Sequence, residues 1–163
     1  MKKTLLVAAI IAVASFIVYR MLGGGGEVKF NVVTKDLTIY GTPYLGKSKD
    51  LALKSLFEST RQLAIEKNSA LVVIDYRYDA EDSVKQFLGV ISSDSIGPFS
   101  VEFKEVKFLE ADLGSNNFVM PLPDEVRSQA GEFARKSELL LEDFSLELYQ
   151  KENLTILFPA KAN

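Results

Sequence analysis

The sequence predicts an α+β domain of two strand–helix–strand–strand units with antiparallel sheets, behind one N-terminal transmembrane helix. Three observations carry this. Residues 5–19 read LLVAAIIAVASFIVY, apolar all round, and four consecutive glycines follow at 23–26. Beyond them, short segments rich in β-branched and aromatic residues alternate apolar with polar, the period of a half-buried strand. Two stretches with apolar residues at helical spacing then fall at the same place in each half of the domain.

The N-terminal run extends to Leu22, broken only by Arg20. Eighteen residues of helix span about 27 Å, close to the roughly 30 Å hydrocarbon core of a bilayer. Arg20 can carry its charge to the headgroups on its apolar stem. A cleaved signal peptide is the competing reading, with Lys2 and Lys3 as its basic start and Ala12-Val13-Ala14 as the small-residue site. Cleavage there leaves SFIVYRML exposed, which favours an uncleaved anchor over residues 1–22. The bilayer is then met through residues 4–22. The expected location is a bacterial inner membrane, and the short basic N-terminus puts the domain on the non-cytoplasmic side.

Residues 23–27 form a linker. A phosphate-binding glycine loop needs a strand before it and a helix after it. Here an apolar span precedes and EVKFNV follows, so the glycines read as a tether reaching on the order of 11 Å.

Residues 28–163 form the domain, a length that can bury a single core. Setting Lys2, Lys3 and Arg20 aside takes the formal charge from −3 for the whole chain to −6 for the rest. This opposes nucleic-acid binding, which depends on neutralising phosphates, and permits a cationic or neutral ligand. The chain has no histidine and no cysteine. That removes the usual zinc and haem ligands, Ser-His-Asp and Cys-His catalysis, and any disulfide framework. No metal or cofactor is expected.

Along the domain, residues 28–34 and 37–41 read as two strands, broken by Gly41-Thr42-Pro43. Ser48 can cap a helix with Asp50 in its first turn. Leu53, Leu56, Phe57, Thr60, Leu63 and Ala64 give that helix its stripe, and Asn68 stops it. Residues 70–78 and 85–92 are strands. Residues 100–106 and 108–113 are two more. Pro123 suits a first helical position, with Asp124 and Glu125 behind it. Val126, Ala130, Phe133 and Ala134 form the inner stripe, and Gly131 weakens that helix. Residues 145–151 and 154–160 close the domain as a hairpin turning at Glu152-Asn153.

Helices covering one face of each unit leave the other faces to meet across a concavity, the expected pocket. Glu147 and Tyr149 share one face of a strand at i and i+2, with Leu146 and Leu148 turned to the helix. Ile74, Tyr76 and Tyr78 share a face opposite Asp75. Tyr76 corresponds to Tyr149 across the repeat and is expected in the same wall. Tyr40 and Tyr44 lie near the turn that rims the cavity. Tyr40, Tyr76, Glu147 and Tyr149 are the candidate ligand-binding residues. Asp79, Glu81 and Asp82 lack the calcium-loop pattern and read as a solvated turn.

The segments LTIYGTPYLGKS, FSVEFKEVKFLEAD and SLELYQKENLTILFPAK resemble the GyrI-like small-molecule-binding family, whose fold is also called SHS2-type. That family is related to the effector domains of multidrug-sensing transcription regulators. The likeness covers residues 28–161 and lies in the doubled order of elements and the ending Phe-Pro. Span, linker and domain together are similar to the membrane-anchored members, which include a eukaryotic endoplasmic-reticulum autophagy receptor. The resemblance implies a pocket between the repeats, often aromatic with a buried glutamate, and no reaction. Thr155 stands where relatives often carry an acid. The expected function is therefore a membrane-anchored, non-enzymatic module for a small apolar or cationic ligand. An interaction scaffold for a membrane protein partner and a Glu/Tyr-based hydrolase are the alternatives.

Overall fold

A computed structural model describes residues 11, 13–15, 17, 28–78, 81–113, 121–151 and 153–162. Residues 11, 13–15 and 17 are helical. Among the described residues no helix is long and apolar enough to cross a membrane. The expected span over residues 4–22 and the glycine linker fall almost wholly outside them, as do Asp79 and Glu152.

The domain runs β1 (Phe30–Lys47), α1 (Leu51–Glu66), β2 (Leu71–Tyr76), β3 (Ser83–Ile91), β4 (Phe99–Asp112), α2 (Pro123–Lys136), β5 (Leu139–Leu141), β6 (Phe144–Gln150) and β7 (Asn153–Ala162). All strand pairings are antiparallel, in the order β4-β1-β3-β2-β6-β7-β5. β7 also pairs with β4, Lys107 to Asp112 lying against Ala160 to Thr155. That last ladder closes six strands on themselves.

Two facing sheets with a concavity between them were expected; one rolled sheet is found. Its interior is filled by Ile39, Val72, Ile74, Phe87, Phe108, Leu146 and Leu157. Burial of each such side chain contributes roughly 1.5–3 kcal/mol. Phe103 stands edge-on to Phe108, with centroids 5.7 Å apart, and stacks on Phe144 at 6.1 Å.

Two expected strand breaks are a single bulge. The register of β1 on β4 shifts between Lys35 and Leu37, which pair with Val106 and Phe103. Glu105 takes a φ of 50° and donates its N–H to Asp36 Oδ1 at 2.6 Å. An extra residue bends a strand without ending it, so residues 30–41 belong to one long strand, β1, and residues 100–112 to another, β4. Gly41-Thr42-Pro43 breaks nothing either. Residues past Gly41 pair with β3 only, the edge position where a proline without an N–H is tolerated.

The helices follow the expected stripes with one correction. Asp50, not Ser48, caps α1, its Oδ1 accepting from Ala52 N–H at 3.0 Å. Asn68, with φ of 48°, turns the chain out of the helix. In α2, Glu125 accepts from Leu122 N–H at 3.2 Å, and Pro123 opens the first turn. Val126, Ala130 and Ala134 bury against Leu109, Ala111, Ile156 and Phe158. Val126 and those two alanines form the buried stripe of α2. The three-residue strand β5 pairs with the end of β7, Leu139 to Leu141 lying against Ala162 to Ala160.

Candidate functional site

α1 sits differently from α2. Its buried residues, Thr60 and Ala64, lie in its second half. At its start Leu51 is 80% exposed. The helix docks at one end, where Ala64 meets Leu71 and Val90, and its first half stands off the sheet. The gap is a groove of about 380 Å³. Leu53 and Phe57 form its helical wall, and Val73, Gln86, Glu147 and Tyr149 form its floor.

Strand alternation decides which side chains reach that floor. On β6, Phe144, Leu146 and Leu148 point into the rolled sheet, so Glu147 and Tyr149 point out of it. This reverses the expected burial of Leu146 and Leu148 under the helix. On β2, Ile74 and Tyr76 point in, and Val73 and Asp75 point out. The ladder sets Val73 opposite Glu147 and Leu71 opposite Tyr149. Asp75 pairs with Gln86, whose Nε2 donates to Asp75 Oδ1 at 3.0 Å.

Two expected members are elsewhere. Tyr76 lies inside the sheet, its ring 5.6 Å from Phe144 and 5.3 Å from the Lys85 ammonium. It cannot share a wall with Tyr149, because an even offset on β2 and an odd one on β6 reach opposite faces here. Tyr40 pairs with Val90 on the outer face of β1 and is not among the groove-lining residues. Sequence reading missed Val73, Gln86 and Asp75 as neighbours of Glu147. A signal for Asp75 was present: it is the one charge in LVVIDY, on the face shared with Leu71 and Val73.

Tyr149 donates its hydroxyl to Glu147 Oε2 at 2.5 Å. The Phe57 ring meets Tyr149 edge-on, with centroids 5.9 Å apart. Burial pushes the Glu147 carboxyl above the usual carboxylate range, and the nearby Asp75 charge adds to this. The Tyr149 hydrogen bond acts the other way, favouring the charged form. The Tyr149 phenol is itself pushed far up, by burial first and then by the Glu147 charge. A partly desolvated carboxylate beside the Tyr149 and Phe57 ring pair suits a cation that sheds water easily. Among the described residues no three acidic side chains are grouped to hold a metal ion.

No family model matches the chain, and no curated protein matches it. Solved structures do. The chain is similar to the EcmrR C-terminal domain, with a TM-score of 0.56 and 8% identity, over 82% of this chain and 99% of that one. It matches EcmrR in a complex with DNA at a TM-score of 0.58 and 7% identity, over 84% of this chain and 59% of that longer chain. SAV2435 bound to tetraphenylphosphonium matches at a TM-score of 0.50 and 12% identity, over 82% and 94%. These likenesses bear on the fold, which agrees with the GyrI-like resemblance. The membrane span and the autophagy receptor find no support in them. The closed, antiparallel α+β domain thus shares its fold with the EcmrR C-terminal domain and SAV2435.

Proposed function

We propose that this protein is a non-enzymatic binding module whose α1 groove takes a small, largely apolar cation. The observation that carries it is Glu147, held by Tyr149 on the floor of an aromatic groove of about 380 Å³. Its volume lies in the range of small-molecule sites, about 300–1,000 Å³. Glu147 supplies the charge, Tyr149 and Phe57 the ring faces, and Leu53 and Val73 the apolar lining. SAV2435, of similar fold, was solved with an apolar cation bound. The order strand–helix–strand–strand in β1-α1-β2-β3 recurs in β4-α2-β6-β7 with the short β5 inserted, which supports reading the halves as copies of one unit. The apolar run at residues 5–19 and the glycines after it support a module tethered at a membrane; alkaline extraction that strips the full chain from membranes contradicts that tether.

Calorimetry with tetraphenylphosphonium and the full chain in lipid nanodiscs tests the binding. Micromolar binding that weakens at least tenfold in Glu147→Gln is expected. Equal affinity of wild type and variant removes Glu147 as the anchor. No binding to any apolar cation removes the reading.

A further inference from the structure

The groove does not end at Tyr149. A second cavity of about 540 Å³ lies beyond it, along the last turns of α1. Phe57 and Tyr149 line both cavities, so their edge-on contact is the partition. The second cavity has a different character. Ala64, Ile65 and Leu71 make it apolar, and Arg61 and Lys151 supply its charge. No acidic side chain lines it among the described residues. Neither Arg61 nor Lys151 has an ion pair among them.

Local structure puts the two cations there. Arg61 follows Phe57 by four residues and precedes Ala64 by three, so it lies on the stripe that carries both. Lys151 follows Glu147 and Tyr149 in steps of two. It occupies the β6–β7 turn with a φ of 55°, just past the last paired residue Gln150. At about 3.3 Å per residue, Lys151 is roughly 13 Å along the strand from Glu147. The Glu147 end sets Lys49 and Lys54 against Asp50 and Glu147, whereas the far end carries cations alone, with an aromatic partition between them. Ser69, also in the lining, already donates its hydroxyl to Ile91 O at 2.7 Å. The donors left for a ligand are the guanidinium and the ammonium.

We infer that this second cavity binds an apolar anion, a hydrocarbon body with one oxyanion head, independently of the cation at Glu147. Arg61 meets the head through its planar fork, which suits carboxylate and phosphate alike. Lys151 adds a second charge from the hairpin turn. The body lies against Ile65, which is 65% exposed, and against Leu71 and the Tyr149 ring.

The test is calorimetry on the full chain in nanodiscs, with empty-disc titrations subtracted. 2-Naphthoate and 2-naphthyl phosphate are the probes, and neutral 2-naphthamide is the control. At least one anion is expected to bind about tenfold more tightly than the amide, and the ratio of the two identifies the preferred head. Arg61→Gln with Lys151→Gln is expected to erase that advantage while tetraphenylphosphonium affinity stays within twofold. Ile65→Glu, which sets a like charge beside the head, is expected to weaken the anion without removing either donor. Equal affinity for anions and amide overturns the inference, and so does an anion that ignores all three substitutions. Loss of tetraphenylphosphonium binding alone counts against the cation site and leaves the anion site standing.

Discussion

The Tyr149 hydroxyl donates to Glu147 Oε2 at 2.5 Å, two residues apart on the outward face of β6. The bond joins a phenol that burial keeps protonated to a carboxylate that burial discourages from ionising. It is the main favourable contact of the charged carboxylate, which gives it a measurable signature.

Tyr149→Phe removes that contact and keeps the ring. The hydrogen bond holds the Glu147 carboxyl down against desolvation, so its titration midpoint is expected to rise further. Carbon-detected NMR of the Glu147 carboxyl across pH 4–8 reads this directly. Cation affinity just above the wild-type midpoint is expected to fall about tenfold, the scale of one charge-assisted hydrogen bond. A midpoint that moves down contradicts the assignment.

Glu147 also links stability to pH. Its folded value lies above its unfolded one. Below the ordinary carboxylate value near 4 both states hold the proton, and the carboxyl favours neither. As pH rises through the window up to the folded value, the unfolded chain releases its proton first, and stability falls. Glu147→Gln removes that loss and can still accept from Tyr149. The variant is expected to melt higher than wild type at pH 7, with the gap closing toward pH 4. Parallel melting curves at both pH values contradict this.

Helix α1 offers a test of its cap. Asp50 Oδ1 accepts from Ala52 N–H, and Asp50 also lines the groove mouth. Asp50→Ala is expected to cost about 1 kcal/mol in urea unfolding. Ser48→Ala, two residues earlier, is expected to stay within about 0.5 kcal/mol. The reverse order makes Ser48 the cap.

Two glycines separate close approach from simple flexibility. Gly41 faces Gly89 across the β1–β3 ladder, and a Cβ on Gly41 would lie 2.0 Å from the Leu88 carbonyl oxygen. Gly41→Ala is expected to cost more than about 3 kcal/mol or to prevent folding, because backbone must move on both strands. Gly131 has nothing within 4 Å of such a Cβ. Gly131→Ala is expected to stabilise α2 by about 1 kcal/mol. Chemical denaturation of both variants checks the pair.

Local chemistry in the sequence determined the two helices, the strand content and the antiparallel hairpins. Pro123 with Asp124 and Glu125 marks a helix start wherever the segment lies. Alternation in SLELYQK marks a strand and puts Glu147 and Tyr149 on one face of it. The absence of histidine and cysteine ruled out whole chemistries without any coordinates. Tertiary structure alone decided which face of β6 looks inward. Both faces are plausible by alternation, and the pairing of β7 with β4 chose between them by rolling the sheet around Leu146, Leu148 and Tyr76. The same closure filled the expected concavity and moved the groove outside, under α1. Whether a helix lies flat or stands off the sheet depends on distant partners. Ala130 and Ala134 of α2 meet Leu109, Ala111, Ile156 and Phe158, whereas α1 is buried at Thr60 and Ala64 in its second half, and the space beside its first half is where Glu147 lies.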